Sequence, residues 1–209
     1  MNPADDPVVV EHINSSVVDD DFARGVIRAF RDAYLPQYGG IQLPASTIRE
    51  AYCPDDDVAV AVRRDKIIDR MQSDDSEYWV VRGDEADVLR GLIRTVRGNG
   101  ETYVGDIIVP PPWRQGIGRR LLHAPLRYGG FDTSNRVALD GFEGSSVNDW
   151  YLRLGFSPRS ISAQLEVGDR SMLMRRYEIT SYAGGIGALL GSLERSDPAL
   201  NEATLRYTN

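Results

Sequence analysis

Hydrophobic and polar residues along this chain follow two different periods, which separate candidate strands from candidate helices. A β-branched run at residues 8–13 predicts a first strand. Three further strand candidates, residues 77–82, 87–97 and 101–109, are separated by short turn-like sequences. Because short connections join antiparallel neighbours, these three segments are predicted to form an antiparallel meander.

Helical spacing marks two segments between the first strand and the meander. Apolar residues at intervals of three or four predict a helix that ends before Pro36: Phe22, Val26, Ala29, Phe30, Ala33 and Tyr34. A second helix is predicted from about Asp57, with Val58, Val62, Ile68 and Met71 on one face. Acidic clusters stand beside these segments, and helix capping and solubility account for them first.

The second half of the chain alternates between the same two periods. A helix is predicted from the loop after residue 109 to about Leu126, and another from Ser145 or Ser146 to Gly155. The remaining strand candidates are residues 136–140, 161–167 and 172–179, the last two joined as a closing hairpin.

The pattern changes after Tyr182, where a glycine-spaced apolar run is followed by a polar end. We therefore divide the chain into a domain of residues 1–182 and a helix-and-tail appendage of residues 183–209. A length of 209 residues with 42% hydrophobic content fits one domain of generous size with such an appendage. The apolar run suggests docking or self-association, so a homodimer is one expected assembly.

Composition narrows the class of protein. The single cysteine, Cys53, excludes an intrachain disulfide, and with only His12 and His123 as histidines no metal site built from nitrogen and sulfur ligands is expected. The N-terminus lacks the pattern of a signal peptide, and no apolar stretch is long enough to span a bilayer. The sequence predicts a soluble, cytoplasmic protein without a membrane partner.

The net charge of -7 argues against a nucleic-acid partner, because phosphate contacts need a basic face. An acidic chain is more easily matched with a cationic partner. Almost all of the positive charge is arginine, since Lys66 is the only lysine.

The segment PPPWRQGIGRRLL, residues 110–122, ends a strand and opens a helix. A pyrophosphate needs several hydrogen-bond donors that converge from one side, and the first turn of a helix offers unpaired N–H groups with a favourable dipole. Gly116 and Gly118 leave that backbone bare, and the arginines at 114, 119 and 120 add positive charge. This combination predicts an anion site.

Two other interpretations of this segment are weaker. The dinucleotide fingerprint GxGxxG lacks its third glycine, since Leu121 stands there, and a meander precedes it instead of a βαβ unit. The stretch PPPW also matches a polyproline ligand, but four residues are too short a pattern to be specific.

The longer stretch GDIIVPPPWRQGIGRRLL, residues 105–122, resembles the acetyl-CoA loop of GNAT-type N-acetyltransferases. In that family the loop follows the fourth strand with the pattern Val-x-Pro-x-x-Arg/Gln-x-x-Gly-x-Gly/Ala. Aligning Trp113 and Arg114 with the family's Trp-Arg pair leaves the loop one residue short, and keeps Asp106 and Val109 in the strand register. The predicted order of elements over residues 8–178 is also similar to the family's.

The resemblance implies a mixed α/β (α+β) GNAT fold. Its central, mostly antiparallel sheet would have six to seven strands, splayed at the acetyl-CoA site and flanked by about four helices. Acetyl-CoA would be the cosubstrate, without a metal. The expected cofactor-binding residues are Ile108, Val109, Arg114, Gln115, Gly116, Ile117, Gly118, Arg119, Arg120, Ser145 and Asn148.

A second motif, SSVNDWYLRLGF at residues 145–156, resembles the family's later helix, which ends in Tyr-x-x-x-Gly-Phe. The resemblance places Tyr151 beside the sulfur of CoA. The family's usual asparagine falls at Gly144, so Ser145 is a substitute for it. Taken by itself, an aromatic residue four positions before a helix-ending glycine is more often a packing residue.

Acetyl transfer to an amine needs a neutral amine, a donor for the developing oxyanion and a proton for the departing thiolate. By resemblance, the N–H of Val109 polarises the thioester carbonyl and Tyr151 protonates the thiolate, without a covalent enzyme intermediate. Asp106 is the first candidate for the general base, with Glu143 and Asp140 as alternatives.

The sequence therefore predicts an N-acetyltransferase that transfers the acetyl group by direct attack of an amine. A catalytically silent acyl-CoA-binding or regulatory module is the alternative, and an interaction protein that uses its C-terminal tail is a third. The acceptor, a small molecule or a protein amine, is not encoded in a recognisable motif. The acidic composition slightly favours a cationic acceptor.

Overall fold

The computed structural model describes residues 8–34, 56–73, 75–98, 100–113, 116–167, 170–202 and 205–207. The predicted site residues Arg114 and Gln115 lie outside these ranges, as does Cys53.

The described residues form a mixed α/β structure. The strands are β1 (Val10–Ile13), β2 (Ser76–Arg82), β3 (Leu89–Gly98), β4 (Glu101–Ile108), β5 (Arg136–Phe142), β6 (Ser157–Val167), β7 (Arg170–Ile179) and β8 (Leu205–Tyr207). The helices are α1 (Asp20–Tyr34), α2 (Asp57–Ser73), α3 (Ile117–Tyr128), α4 (Val147–Arg153) and α5 (Gly185–Ser196). Short 3₁₀ turns connect several of them.

All strands belong to one open sheet with the order β6-β7-β5-β4-β3-β2-β1-β8. Neighbouring strands are antiparallel except at two places, the central pair β4–β5 and the edge pair β1–β8. The predicted meander is confirmed as β2, β3 and β4, and the closing hairpin as β6 and β7. The predicted fold class, with a mostly antiparallel sheet, is confirmed. The sheet has eight described strands where six to seven were expected, because β8 adds to its edge beside β1.

Acidic side chains start the first two helices, which explains two of the acidic clusters. Asp19 Oδ1 accepts a hydrogen bond from the N–H of Phe22 at 2.8 Å, and Asp56 Oδ1 accepts from the N–H of Ala59 at the same distance. Each carboxylate satisfies an N–H that has no acceptor within its own helix.

The two faces of the sheet are covered by different helices. On one face, α1 and α2 contribute Phe22 and Ile67 to a buried cluster that includes Ile108 of β4. On the other face, α3 and α5 contribute Leu121 and Leu189 to a cluster that includes Val104 of the same strand. The sheet therefore has one helical layer on each side, and β4 lies in its middle.

The segment after Tyr182 packs into the second of these cores. Ile186, Leu189 and Leu193 of α5 are fully buried against α3 and β5. Strand β8 then pairs in parallel with β1 at the edge of the sheet. The sequence predicts the helix, but its period does not indicate where the buried face docks or that a strand follows.

Candidate active site

The central parallel strands β4 and β5 separate part of the way along their length. Their pairing runs from Glu101–Arg136 to Val104–Leu139, and in the described sheet it stops there although both strands continue. The backbone groups of β4 beyond Val104 are thereby left without a β5 partner on that side. Unpaired N–H and C=O groups in a cleft suit an extended ligand that carries its own amide groups.

A β-bulge occurs at the same point of β4. Arg94 of β3 is opposite Asp106, and the next residue, Thr95, is opposite Val104, so Gly105 is the extra residue. A bulge bends its strand and increases the local twist. The bend at Gly105 thus coincides with the end of the pairing to β5.

A cavity of about 780 Å³ occupies the opening between the two strands. Its walls come from the last part of β4, the end of β5 and the beginnings of α3 and α4, with α1 and α2 on one side. The lining residues that bear on the chemistry are Arg63, Lys66, Arg70, Asp106, Val109, Gly116, Gly118, Arg119, Asp140, Ser145 and Tyr151.

The first turn of α3 has the form of an anion site. Gly116 has φ 82°, a left-handed conformation that glycine adopts without strain, and its carbonyl accepts from the N–H groups of Arg119 at 3.1 Å and Arg120 at 3.3 Å. The N–H groups before Arg119 have no acceptor within the helix. Together with Arg119 in the cavity wall, they offer convergent donors and positive charge.

Tyr151 of α4 lines the cavity from a cluster of aromatic rings. The ring centroids of Trp150, Phe156 and Tyr177 lie 5.5, 6.0 and 5.8 Å from that of Tyr151. Burial raises the pKa of Tyr151, and the nearby Tyr177 adds to the rise. The phenol therefore remains protonated throughout the physiological pH range and has a proton to give.

Asp106 of β4 also lines the cavity, and it is paired. Its Oδ2 accepts from Nε of Arg94 at 2.8 Å. Burial lowers the pKa of Arg94, but the carboxylate of Asp106 and its hydrogen bond outweigh that effect and raise the pKa overall. The guanidinium fixes the position of the carboxylate.

The two alternative carboxylates have different surroundings. Asp140 of β5 lines the cavity, where its Oδ2 accepts from the hydroxyl of Tyr103 at 2.8 Å and its Oδ1 is buried without a partner in the described structure. Burial and the hydrogen bond to Asp140 raise the pKa of Tyr103. Glu143 instead pairs with Arg175 and is not among the described residues of the cavity wall. Asp140 is thus the nearer alternative to Asp106.

The remaining predicted cofactor-binding residues have three kinds of position. Ile108, Val109 and Ser145 line the cavity. Ile117 is buried in the core beneath α3. Arg120 belongs to the first turn of α3, but it is outside the described cavity wall.

Asn148 is engaged with its own loop. Its Nδ2 donates to the carbonyl of Phe142 at 2.8 Å, and the side chain is buried beside Gly141. The amide therefore ties the beginning of α4 to the end of β5. It positions Ser145 and Tyr151 through the backbone that they share.

Residues of α2 are the part of the cavity wall that the sequence motifs did not identify. Arg63, Lys66 and Arg70 line the cavity from this helix. Tyr103 lies behind the wall and donates a hydrogen bond to Asp140, which lines the cavity. The spacing of three and four residues was a signal that the three cations share one face of the helix. It did not indicate that this face turns toward the cavity.

Among the described residues, no group of three or more His, Cys, Asp or Glu side chains is arranged to hold a metal ion. None of the helices there combines the length and the apolar character needed to cross a membrane.

No protein-family model matches the chain, and a comparison with curated proteins gives no match. Solved structures do match. An N-acetyltransferase, PaiA, from Thermoplasma acidophilum in complex with coenzyme A is 17% identical, with a TM-score of 0.54 over 81% of this chain and 99% of that one. A ribosomal-protein-alanine N-acetyltransferase from Brucella melitensis is 12% identical, with a TM-score of 0.58 over 82% and 98%.

Mutant forms of the spermidine/spermine N-acetyltransferase SpeG from Vibrio cholerae match over 90% of this chain and 97% of that one. The identity is 15% and the TM-score 0.53. The chain thus has the fold of the GNAT-type N-acetyltransferases, and the resemblance predicted from its sequence is confirmed at the level of the fold.

Proposed function

We propose that this protein transfers an acetyl group from acetyl-CoA to an amine. The observation that carries the proposal is the opening between β4 and β5, because one cavity there joins the anion site of α3 to the phenol of Tyr151. The solved N-acetyltransferases with this fold, one of them in complex with coenzyme A, support it.

The chain supplies a distinct element for each part of the cosubstrate. The N–H groups at the start of α3 and the side chain of Arg119 bind the pyrophosphate. The unpaired edge of β4 after Val104 binds the pantetheine amides as a neighbouring strand would. The N–H of Val109 donates to the thioester oxygen and stabilises the negative charge that develops there.

The proposed reaction needs no covalent enzyme intermediate. The lone pair of the neutral amine attacks the thioester carbon, a C–N bond forms, and the C–S bond breaks as the tetrahedral intermediate collapses. Tyr151 gives its proton to the departing thiolate. The amine loses one proton to a carboxylate, directly or through water.

Asp106 is the carboxylate that we assign to this proton. It lines the cavity, and its pairing with Arg94 leaves Oδ1 available for the amine or for a bridging water. Replacing Asp106 by Asn should lower kcat by about 100-fold or more, because the amine then loses its proton acceptor. If Asp140→Asn does this and Asp106→Asn does not, the base is Asp140.

The experiment that tests the proposed function is a thiol-release screen of acetyl-CoA against a library of amines. Release that depends on one class of amine supports acetyl transfer. Acetyl-CoA that binds but is not consumed with any amine supports the silent acyl-CoA-binding module instead.

A further inference from the structure

Three cations of α2 form a charged wall on one side of the cavity. Arg63, Lys66 and Arg70 all line it, and their spacing places them on one face of the helix. The chain as a whole has a net charge of -7, and Lys66 is its only lysine. Three cations on one helix face are therefore not what the composition predicts. We call these residues the α2 cation face.

The surroundings of the three side chains differ. The guanidinium of Arg63 lies over the ring of Phe30, 5.7 Å from its centroid. The charge of Arg70 acts on the phenol of Tyr78. Lys66 is an exposed residue that forms no ion pair within the part of the chain that the structure describes.

The α2 cation face is close to the predicted base. Burial raises the pKa of Tyr78, and the charges of Arg94, Arg70 and Asp106 all act on the same phenol. Tyr78 therefore lies within electrostatic range of both Arg70 and Asp106. Among the described residues that line this side of the cavity, Asp106 is the only carboxylate, and it is paired with Arg94.

The phosphates of the cosubstrate have a different place. The anion site belongs to α3, which covers the opposite face of the sheet from α2. The α2 cation face is therefore on the side from which an acceptor would approach the thioester. Its charge suits a negative group on that acceptor.

We propose that the acceptor is a small amine with an anionic group of its own, a carboxylate, phosphate or sulfonate, that binds the α2 cation face. This inference rests on the proposed function. Repulsion from the same three cations disfavours polyamines, although the chain as a whole is acidic.

Matched amines test the charge preference directly. The first set is 4-aminobutanoate, butylamine and 1,4-diaminobutane, which differ at the far end of one carbon chain. The second set is 2-aminoethyl phosphate, 2-aminoethanesulfonate and 2-aminoethanol. We expect an anionic member to have at least a tenfold higher kcat/KM than the neutral or cationic members of its set.

Two variants of α2 with the same charge change locate the effect. Lys66→Glu should lower kcat/KM for the preferred anionic amine about tenfold, mainly through KM, and change it less than twofold for butylamine. Arg64→Glu is the control, because Arg64 pairs with Asp20 and Asp65 outside the cavity wall. It should leave both values within twofold. The Kd of CoA should be the same in all three proteins.

Binding of reaction products separates this inference from the proposed function. If no amine is acetylated, the proposed function fails, but N-acetyl-4-aminobutanoate should still bind the CoA-loaded protein at least tenfold tighter than N-butylacetamide. Equal binding of these two products overturns the anionic-acceptor proposal. A wild-type preference for the neutral or cationic amines in both sets also overturns the anionic-acceptor proposal. A loss of CoA affinity in Lys66→Glu overturns it as well.

Discussion

In the proposed reaction individual residues carry the chemistry, and Tyr151 is the clearest case. Its ring is packed by Trp150, Phe156 and Tyr177, and its side chain is 5% exposed. Burial in an aromatic cluster fixes the direction of the phenol and raises its pKa, so the phenol is protonated when the C–S bond breaks. In the proposed reaction it gives this proton to the departing thiolate as the bond breaks.

Replacing Tyr151 with Phe should lower kcat by about 100- to 10,000-fold and change the Kd of CoA less than about fivefold. In the proposed reaction the phenol acts when the C–S bond breaks, whereas the ring alone supports the packing. A lost neutral hydrogen bond to the bound cosubstrate would cost only about 1 kcal/mol. The comparison uses kcat with an identified amine and calorimetry with CoA. If kcat falls less than about threefold, Tyr151 is a packing residue and not the proton donor.

Gly118 allows a clean test of the anion site. A Cβ there would lie 3.7 Å from the ring of Trp150 and 3.8 Å from Val109, which is ordinary contact distance. Gly118→Asp should bind CoA at least tenfold more weakly than Gly118→Asn, which has the same shape without the charge. Added salt should reduce the difference in CoA affinity between these two variants, because it screens the charge of Asp. Equal affinities of the two folded variants would remove the start of α3 from the site.

The sequence predicts these residues unequally. Gly116, Gly118 and Tyr151 belong to local motifs at the beginning or end of a helix, so the resemblance of those motifs to a known family's made them candidates. The pairing of Asp106 with Arg94 depends on the register of two strands and on the bulge at Gly105, which no local pattern encodes. The position of Lys66 depends on how α2 packs on the sheet.

At the scale of elements, α5 shows that predicting a helix does not predict where the helix docks. Its first N–H groups, on Ile186 and Gly187, donate to the carbonyls of Asn135 and Thr133 at 3.0 and 2.9 Å. Gly185 has φ 50°, and a Cβ there would lie 2.1 Å from the Asn135 oxygen. The glycines before the apolar run thus permit docking onto the loop that precedes β5.

Substituting Leu189 with Ala should lower the free energy of unfolding by about 2–5 kcal/mol. Leu189 is fully buried between α5 and the rest of the second core. Leu152→Ala on α4 is the control, since that side chain is 47% exposed and its loss should cost less than about 1 kcal/mol. Denaturant unfolding measures both. A cost below about 1 kcal/mol for Leu189→Ala would mean that α5 unfolds separately. Only in that case would a chain truncated after Tyr182 stay folded and bind CoA alone, as the domain division predicts.

At the scale of the whole molecule, we expect the stability to depend on pH through His12 of β1. Its ring packs against that of Trp79, with the centroids 4.6 Å apart and the planes tilted by 50°. Burial lowers the pKa of His12 below its ordinary 6.5, and the charge of Glu77 opposes this only in part. Between the folded pKa and 6.5 the unfolded chain binds more protons, so the free energy of unfolding falls as the pH falls through that window.

His12→Gln should therefore flatten the pH dependence of Tm below pH 6.5. The stability that neutral His12 permits is present above the unfolded pKa and is lost on acidification, and the variant has no such group to protonate. Calorimetric scans of both proteins between about pH 5 and pH 8 make the comparison. Parallel Tm curves would mean that His12 has the same pKa in the folded and unfolded chains.

The architecture of the whole molecule was largely predictable, but the charge of its site was not. Short connections force β2, β3 and β4 into a meander, and the glycines at 116 and 118 mark where α3 begins. Net charge, by contrast, is a sum over the whole chain and does not indicate which charges lie together at a site. The acidic composition favoured a cationic acceptor, whereas the folded chain brings Arg63, Lys66 and Arg70 together beside the predicted base.

The stoichiometry of the reaction tests the central claim most directly. With the best amine from the screen, the CoA thiol released and the N-acetylated amine formed should be counted in the same sample by thiol titration and mass spectrometry. Direct transfer predicts equal amounts of the two products at every time point, and no release without the amine. Thiol release without acetylated amine would show hydrolysis, and no release with any amine would show a binding module; either result would contradict acetyl transfer.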